Sequence, residues 1–169
     1  MNEKKFFIAI GIATVVLLIG GYWLTTRQDA RLSKPLLGKE VSVTAGHVPV
    51  GTKVNYNSNP PAGGQHYDQT AHAGFYDKAP ADGFLVHSLE HGAVILWYKL
   101  DLPKDQVEKL KNIFNQTSGK AIMTPRNNLD VPVVLTSWGR LLKLNAINEA
   151  QIKAFFETNI DRGPEQAPI

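Results

Sequence analysis

Nineteen consecutive residues without a charge, Phe6 to Leu24, constrain this chain more than any other feature of its sequence. At about 1.5 Å per residue, a helix of this length crosses the ~30 Å hydrocarbon core of a bilayer. Tyr22 and Trp23 lie near one end of the run, where aromatic rings favour the membrane interface, and Arg27 follows. We therefore predict a cytoplasmic tail and a transmembrane anchor over residues 1–27.

A cleaved signal peptide is the competing interpretation of this apolar run. A signal peptide would have a shorter run of about 7–15 residues, followed by a cleavage site of small residues. Residues 22–26 read Y-W-L-T-T instead and offer no such site, so we favour the anchor. The flanking basic residues do not decide the orientation, but a short tail before a lone first anchor usually stays cytoplasmic. We therefore expect the remainder of the chain outside the cytoplasm, at the cell membrane.

The rest of the chain has the length of one domain. Residues 28–40 are polar and contain Pro35 and Gly38, so we predict a tether there and a single domain over residues 41–169. The formal net charge is +3, and the basic residues are scattered without interleaved aromatic residues. This pattern does not indicate a nucleic-acid partner. The expected partners are the membrane and a membrane protein complex.

Short apolar runs and period-two alternation predict several strands in the domain. They lie at residues 41–45, 53–56, 93–98, 120–124, 131–138 and 141–144. One helical turn is predicted at residues 85–90, closed by Gly92 as a C-terminal cap.

Two longer amphipathic helices are predicted around the later strands. The first begins at Pro103 and buries an apolar stripe, whereas the second begins at the N-cap Asn148, with Gln151 as its capping partner. The stripe of the first helix consists of Val107, Leu110, Ile113 and Phe114. The order strands, helix, strands, helix predicts an α+β fold, a small, mostly antiparallel sheet with two helices packed on one face.

The five histidines of the chain are concentrated in its first three-fifths. His66, His72, His87 and His91 fall within twenty-six residues, and His47 lies just upstream. His87 and His91 are four residues apart, which places both imidazoles on one face of a helical turn. Such a spacing lets two nitrogens reach one metal ion. Because the chain has no cysteine, histidine would have to supply most of the ligands.

We predict a mononuclear metal site of His66, His87 and His91, with His47 as a fourth ligand. Imidazole suits several transition metals, and copper or zinc is expected where no thiolate is available. Met123 would add a thioether ligand and favour copper, although methionine in an apolar strand more often serves packing. The alternative for the histidines is that each one hydrogen-bonds inside a polar core or lies exposed.

The sequence H-S-L-E-H also matches the H-x-x-E-H pattern, in which a glutamate, here Glu90, is the base for attack by water. Gly92 and an apolar strand follow at once, so the turn is too short for the long helix of such peptidases. No second helix offers an obvious acidic ligand. We therefore expect Glu90 and Tyr76 to orient ligands through hydrogen bonds and assign no catalytic residue.

Five further sequence elements are informative together: P-P-A-G-G-Q-H-Y at 60–67, G-F-Y at 74–76, V-H-S-L-E-H-G-A-V at 86–94, S-W-G-R at 137–140 and R-G-P-E at 162–165. In this combination they resemble the bacterial domain-of-unknown-function 3105 family. The family pattern usually has Ser at the position of Gly63 and Pro at that of Gln65, and His72 matches nothing in it. The resemblance implies a single N-terminal anchor. It picks out the histidines at 47, 66, 87 and 91 but supplies no reaction.

These features predict a membrane-anchored, extracytoplasmic domain that binds copper or zinc in metal handling or in assembly of a membrane complex. A zinc hydrolase using Glu90 and a structural accessory subunit without metal are the alternatives. A filled four-ligand site would favour metal binding, and an open position with water near Glu90 would favour hydrolysis. Histidines beyond the reach of one ion would favour the structural role.

Overall fold

The structure is a computed structural model that describes residues 3–169, except for the side chains at positions 27–31. The chain divides into two compact units, Met1–Pro35 and Leu36–Ile169. Helix α1, Glu3–Leu32, forms most of the first unit. Its stretch Glu3–Thr26 is long and apolar enough to cross a membrane, and none of it is buried among the described residues.

The predicted N-terminal helix is thus present with the length that a membrane span needs. A signal sequence would have the same length and apolar character, so the uncleaved anchor stays a prediction. Helix α1 continues to Leu32 and so includes the first part of the predicted tether. The side chains of residues 28–31 in that tether lie outside the described residues.

In the described part of the second unit, six strands form one sheet in the order β1-β6-β5-β3-β4-β2. The strands are β1 (Lys39–Glu40), β2 (Gly74–Phe75), β3 (Val94–Lys99), β4 (Ala121–Arg126), β5 (Val133–Ser137) and β6 (Arg140–Leu144). The helices are α2 (Asp82–Glu90), α3 (Lys104–Phe114) and α4 (Glu149–Asn159). Strands β1, β6, β5 and β3 pair antiparallel, while β4 pairs parallel with β3 and β2. The predicted α+β fold is therefore confirmed.

The sheet separates two apolar cores, because successive side chains of a strand point to opposite faces. On one face, Leu96 of β3 packs in a core with Leu110 of α3 and Phe155 of α4. On the other face, Trp97 packs in a core with Leu89 of α2. The two predicted long helices thus share a face, and α2 covers the opposite one.

The boundaries of the two long helices follow their caps. Asn148 Oδ1 accepts a hydrogen bond from the backbone N–H of Gln151 at 3.0 Å, which confirms the predicted N-cap of α4. Pro103 is the N-cap of α3 instead of its first helical residue, and the helix begins at Lys104.

Two of the predicted strands are wrong. Residues 41–45 and 53–56 form loops. The alternating apolar side chains at 41–45 pack against other loops instead of belonging to a paired strand. Val43, for example, lies so close to the loop at Gly63 that a Cβ on this glycine would be 2.9 Å from the Val43 side chain. These loops lead to the histidines.

Candidate metal centre

Helix α2 carries two candidate ligands in its last turn, and polar contacts hold it in place. At its start, the Asp82 carboxylate accepts two hydrogen bonds from the Arg126 guanidinium, at 2.6 and 3.0 Å. Further along, Ser88 Oγ donates to the Ala71 carbonyl at 2.8 Å and accepts from the Ala71 N–H at 2.9 Å. The helix is therefore fixed both to the end of β4 and to the loop that precedes it.

A short backbone bridge brings His47 and His66 together from two different loops. The N–H of His66 donates to the Gly46 carbonyl at 2.9 Å, and the N–H of Val48 donates to the His66 carbonyl at 2.8 Å. The ring centroids of the two histidines lie 4.8 Å apart, with the rings nearly perpendicular. Main-chain pairing, and not helical spacing, thus positions these two imidazoles.

Four side chains converge between these loops and α2, and we call them the inner group: His47, His66, His87 and Glu90. One donor atom from each lies within 4.8 Å of the donor atoms of all the others. The ring of His66 is stacked on that of His87 at 4.8 Å. His47 is exposed, whereas the other three are buried. The inner group therefore consists of two buried imidazoles, one buried carboxylate and a third imidazole at the surface.

The protonation pattern of His66 bears most directly on what the inner group can hold. Its Nδ1 lies 2.8 Å from the Gly64 carbonyl oxygen. Because a carbonyl oxygen only accepts, Nδ1 carries a proton, and in the neutral form of the ring Nε2 would carry the lone pair. This Nε2 is buried and lies 2.9 Å from Glu90 Oε2, within ion-pair distance, although the two atoms are not aligned as a hydrogen bond in the described structure. A histidine that ligates a metal has this arrangement, with its other nitrogen donating to a backbone carbonyl.

The surroundings of His87 favour its neutral form. Burial lowers the pKa of His87 below its usual value of 6.5, the neighbouring imidazoles of His66, His91 and His47 lower it further, and a smaller opposing effect comes from the backbone of Gln69. The Nδ1 atom of His87 is buried without a hydrogen-bond partner in the described structure. A neutral ring with an unsatisfied nitrogen is the form of histidine that binds a metal ion.

A second cluster, the outer group, consists of His87, His91 and Glu165, whose donor atoms also lie within 4.8 Å of one another. His91 Nδ1 lies 2.8 Å from the Pro168 carbonyl oxygen, and its Nε2 lies 3.2 Å from Glu165 Oε2. Of the four histidines predicted to share one ion, three thus lie in the inner group. His91 follows the last residue of α2 and is grouped with Glu165, which lies in the C-terminal segment 161–169. Glu90 is the fourth member of the inner group.

The remaining predicted contributors lie elsewhere. Met123 is fully buried in the apolar core that β4 forms with α3 and α4, on the face opposite α2, and serves packing. The Tyr76 hydroxyl donates to the His72 carbonyl at 2.9 Å and not to an imidazole. His72 itself is exposed and belongs to neither group.

The structure adds two carboxylates to the predicted histidines. Glu90 is predicted from the sequence to orient a ligand, and its carboxylate lies close enough to the imidazoles to be a donor itself. Glu165 has no sequence signal as a ligand beyond its place in the element R-G-P-E.

Fold and site define a class of protein, an α+β domain with a buried imidazole–carboxylate cluster that follows an apolar helix. The chain belongs to the family described as protein of unknown function DUF3105, whose family model matches residues 47–168. The predicted family is thus confirmed, and the matched range contains both groups. No curated protein and no solved structure matches the chain.

Proposed function

We propose that the inner group binds one transition metal ion, Zn²⁺ or Cu²⁺, and that the domain handles this ion or uses it in assembly of a membrane complex. The observation that carries the proposal is the pair His66 and Glu90. A buried imidazole nitrogen lies 2.9 Å from a buried carboxylate oxygen, and with His66 neutral and Glu90 ionised these two atoms are acceptors that face each other. A cation bound between them satisfies both atoms, which would otherwise stay buried at a cost in free energy.

The donor set decides the class of metal. Three imidazole nitrogens and one carboxylate oxygen suit Zn²⁺ and Cu²⁺, whereas Cu⁺ prefers sulfur ligands. Tetrahedral ligands at 2.0–2.1 Å from zinc lie about 3.4 Å from one another. The four donor atoms lie within 4.8 Å of one another, which is close enough for one ion to be shared among them.

The same donor set favours binding over hydrolysis. A catalytic zinc keeps one coordination position open for water, whereas four protein ligands fill a tetrahedral ion. A Glu90 that ligates the ion is not free to act as base for a water molecule. The exposure of His47 leaves one ligand at the surface, where an ion can enter or leave. Metal handling is therefore the better-supported role.

The location of this domain follows from α1. We propose that the stretch Glu3–Thr26 spans the cell membrane and that the domain lies outside the cytoplasm. Its length and apolar character support the span, and the absence of a cleavage site of small residues supports retention of the helix.

A comparison of two histidine variants tests the metal site. His66→Asn keeps a donor near the position of Nδ1, for the Gly64 carbonyl, but removes Nε2. His72→Asn is the matched control, because His72 is exposed and lies in neither group. The full chain in detergent micelles is stripped with a chelator, dialysed against Zn²⁺ or Cu²⁺, and analysed for bound metal.

The wild-type chain and His72→Asn should each retain one ion per chain. His66→Asn should bind with an affinity lower by more than the roughly 10–100-fold that follows loss of an outer hydrogen-bond partner. Equal affinities of the two variants, with both folded by circular dichroism, would exclude the inner group as the metal site.

A further inference from the structure

We infer that the outer group, His87, His91 and Glu165, is a second metal position that shares His87 with the inner group and takes the same class of ion, Zn²⁺ or Cu²⁺. This inference rests on the proposed function, because the shared ligand connects the two positions.

The first support is that His91 repeats the arrangement of His66. In both residues Nδ1 lies 2.8 Å from a backbone carbonyl oxygen, that of Pro168 for His91 and that of Gly64 for His66. Nδ1 thereby carries a proton, and in the neutral form of each ring Nε2 would present its lone pair beside a carboxylate. For His91 this carboxylate is Glu165, at 3.2 Å.

The second support is that backbone contacts, and not a mobile side chain alone, bring Glu165 to His91. The N–H of Glu165 donates to the Glu90 carbonyl at 3.1 Å, and the N–H of Asp161 donates to the Gly92 carbonyl at 2.8 Å. The C-terminal segment is thus attached to the end of α2 on both sides of Gly163. An exposed glutamate that met a histidine by chance would not need this support.

The two positions differ in depth. The side chains of His66 and Glu90 are 0 % and 5 % exposed, whereas those of His91 and Glu165 are 11 % and 50 % exposed. An ion in the outer group can therefore be reached from solvent. With three protein ligands instead of four, the outer group also leaves a coordination position open, and we expect it to bind the ion more weakly.

The shared residue, His87, makes the two positions alternatives. Its ring lies 4.8 Å from that of His66 and 4.5 Å from that of His91. A neutral imidazole has one lone pair, so His87 ligates one ion at a time. Near neutral pH the wild-type chain should therefore hold a single ion, mainly in the inner group. The outer group then serves as the exposed position through which the ion exchanges.

Disabling the inner group isolates the outer one for measurement. In His66→Asn, the full chain in detergent micelles should still bind one Zn²⁺, more weakly than the wild type, in a chelator-buffered zinc titration. Adding Glu165→Gln to this variant should lower the remaining affinity by at least about tenfold. Adding Glu157→Gln, at an exposed position of α4, should leave it unchanged and is the matched control. Where His66→Asn does not fold, Glu90→Gln disables the inner group instead.

The outcomes separate the inference from the proposed function. If the wild-type chain binds one Zn²⁺ and the disabled chain binds none, the inner group stands and the outer position is excluded. If Glu165→Gln and Glu157→Gln lower the remaining affinity equally, the outer position is again excluded. If the wild-type chain binds no Zn²⁺ or Cu²⁺, the proposed function fails and the inference fails with it.

Discussion

The backbone of Gly163 packs directly against the carbonyl oxygen of Glu90, at the end of the helix that carries two of the proposed ligands. A Cβ at position 163 would overlap both that oxygen and the backbone nitrogen of Gly92. Since both are main-chain atoms, rotation of a side chain cannot relieve the overlap. The glycine of the element R-G-P-E thus lets the C-terminal segment reach α2, where Glu165 meets His91.

Gly163→Ala should therefore destabilise the domain. An alanine at a glycine with ordinary backbone angles usually stabilises by about 0.4–1 kcal/mol, so the sign of the change is informative. Here we expect the overlap to dominate and to lower the free energy of unfolding by about 1–3 kcal/mol. Thermal unfolding followed by circular dichroism measures this change. Glu157→Ala, at an exposed position of α4, should leave the midpoint nearly unchanged, and an unchanged or higher midpoint for Gly163→Ala would contradict the packing described.

Much of the fold follows from local sequence signals. The continuous apolar run at 93–98 identifies β3, because a buried central strand needs apolar side chains on both faces. Asn148 and Gln151 identify the start of α4 through its cap. Helix α2 is longer than the single turn that the sequence predicts at residues 85–90, since it begins at Asp82. Gly83 serves close packing there, since a Cβ would lie 2.6 Å from the ring of Tyr67.

The site was predictable only as far as its contacts are local. The spacing of His87 and His91 places both on one end of α2, and the structure groups them with one carboxylate. The partner of His66, however, depends on a backbone bridge to His47 and on the packing of a loop against α2. The approach of Glu165 depends on hydrogen bonds to a helix far away in the sequence. Neither contact is accompanied by a repeating pattern of residues in the sequence from which it could be inferred.

The metal-free domain should lose stability as the pH falls below about 6.5. Burial and neighbouring imidazoles lower the pKa of His87 from 6.5, so the unfolded chain binds this proton at a higher pH than the folded chain. The contribution of His87 to the free energy of unfolding therefore rises with pH between the lowered pKa and 6.5. Above pH 6.5 this contribution is constant. Melting in the presence of a chelator at pH 7.5 and 5.5 measures the difference. His87→Asn should reduce this difference in stability between the two pH values, whereas His72→Asn should leave it unchanged.

Metal should add stability at pH 7.5 and not at pH 5. A ligand that binds only the folded state stabilises it by about 2.7 kcal/mol at a hundredfold excess over Kd. Because His66 and His87 must be neutral to ligate, protons compete with the ion, and the gain disappears at low pH. Melting curves with and without Zn²⁺ at both pH values provide the comparison. An equal gain at pH 5 would be evidence against histidine ligation.

The second unit should be soluble without α1. A chain that begins at Lys34 lacks the apolar stretch Glu3–Thr26 and retains all six strands and both groups. Its two apolar cores are buried, so no large apolar face should require detergent. Size-exclusion chromatography in detergent-free buffer checks this expectation. Aggregation in every buffer tested would contradict a division between an anchor and a folded domain.

Replacing Glu90 by Gln should change the metal-free and metal-bound forms in opposite directions. In the metal-free form with His66 neutral, a neutral amide costs less to bury than a carboxylate, and its N–H can donate towards Nε2 of His66. The midpoint of unfolding should rise, by the equivalent of about 1 kcal/mol.

In the metal-bound form, the amide is a poorer ligand than the carboxylate. The affinity for Zn²⁺ should fall by at least roughly tenfold, and the stabilisation by Zn²⁺ should shrink accordingly. Melting curves with and without Zn²⁺, together with a chelator-buffered titration, measure both effects in one variant. Glu157→Gln controls for the loss of a negative charge. A Glu90→Gln variant that bound Zn²⁺ normally but lost a measurable hydrolase activity would instead identify Glu90 as a general base and reverse the ranking of metal handling over hydrolysis.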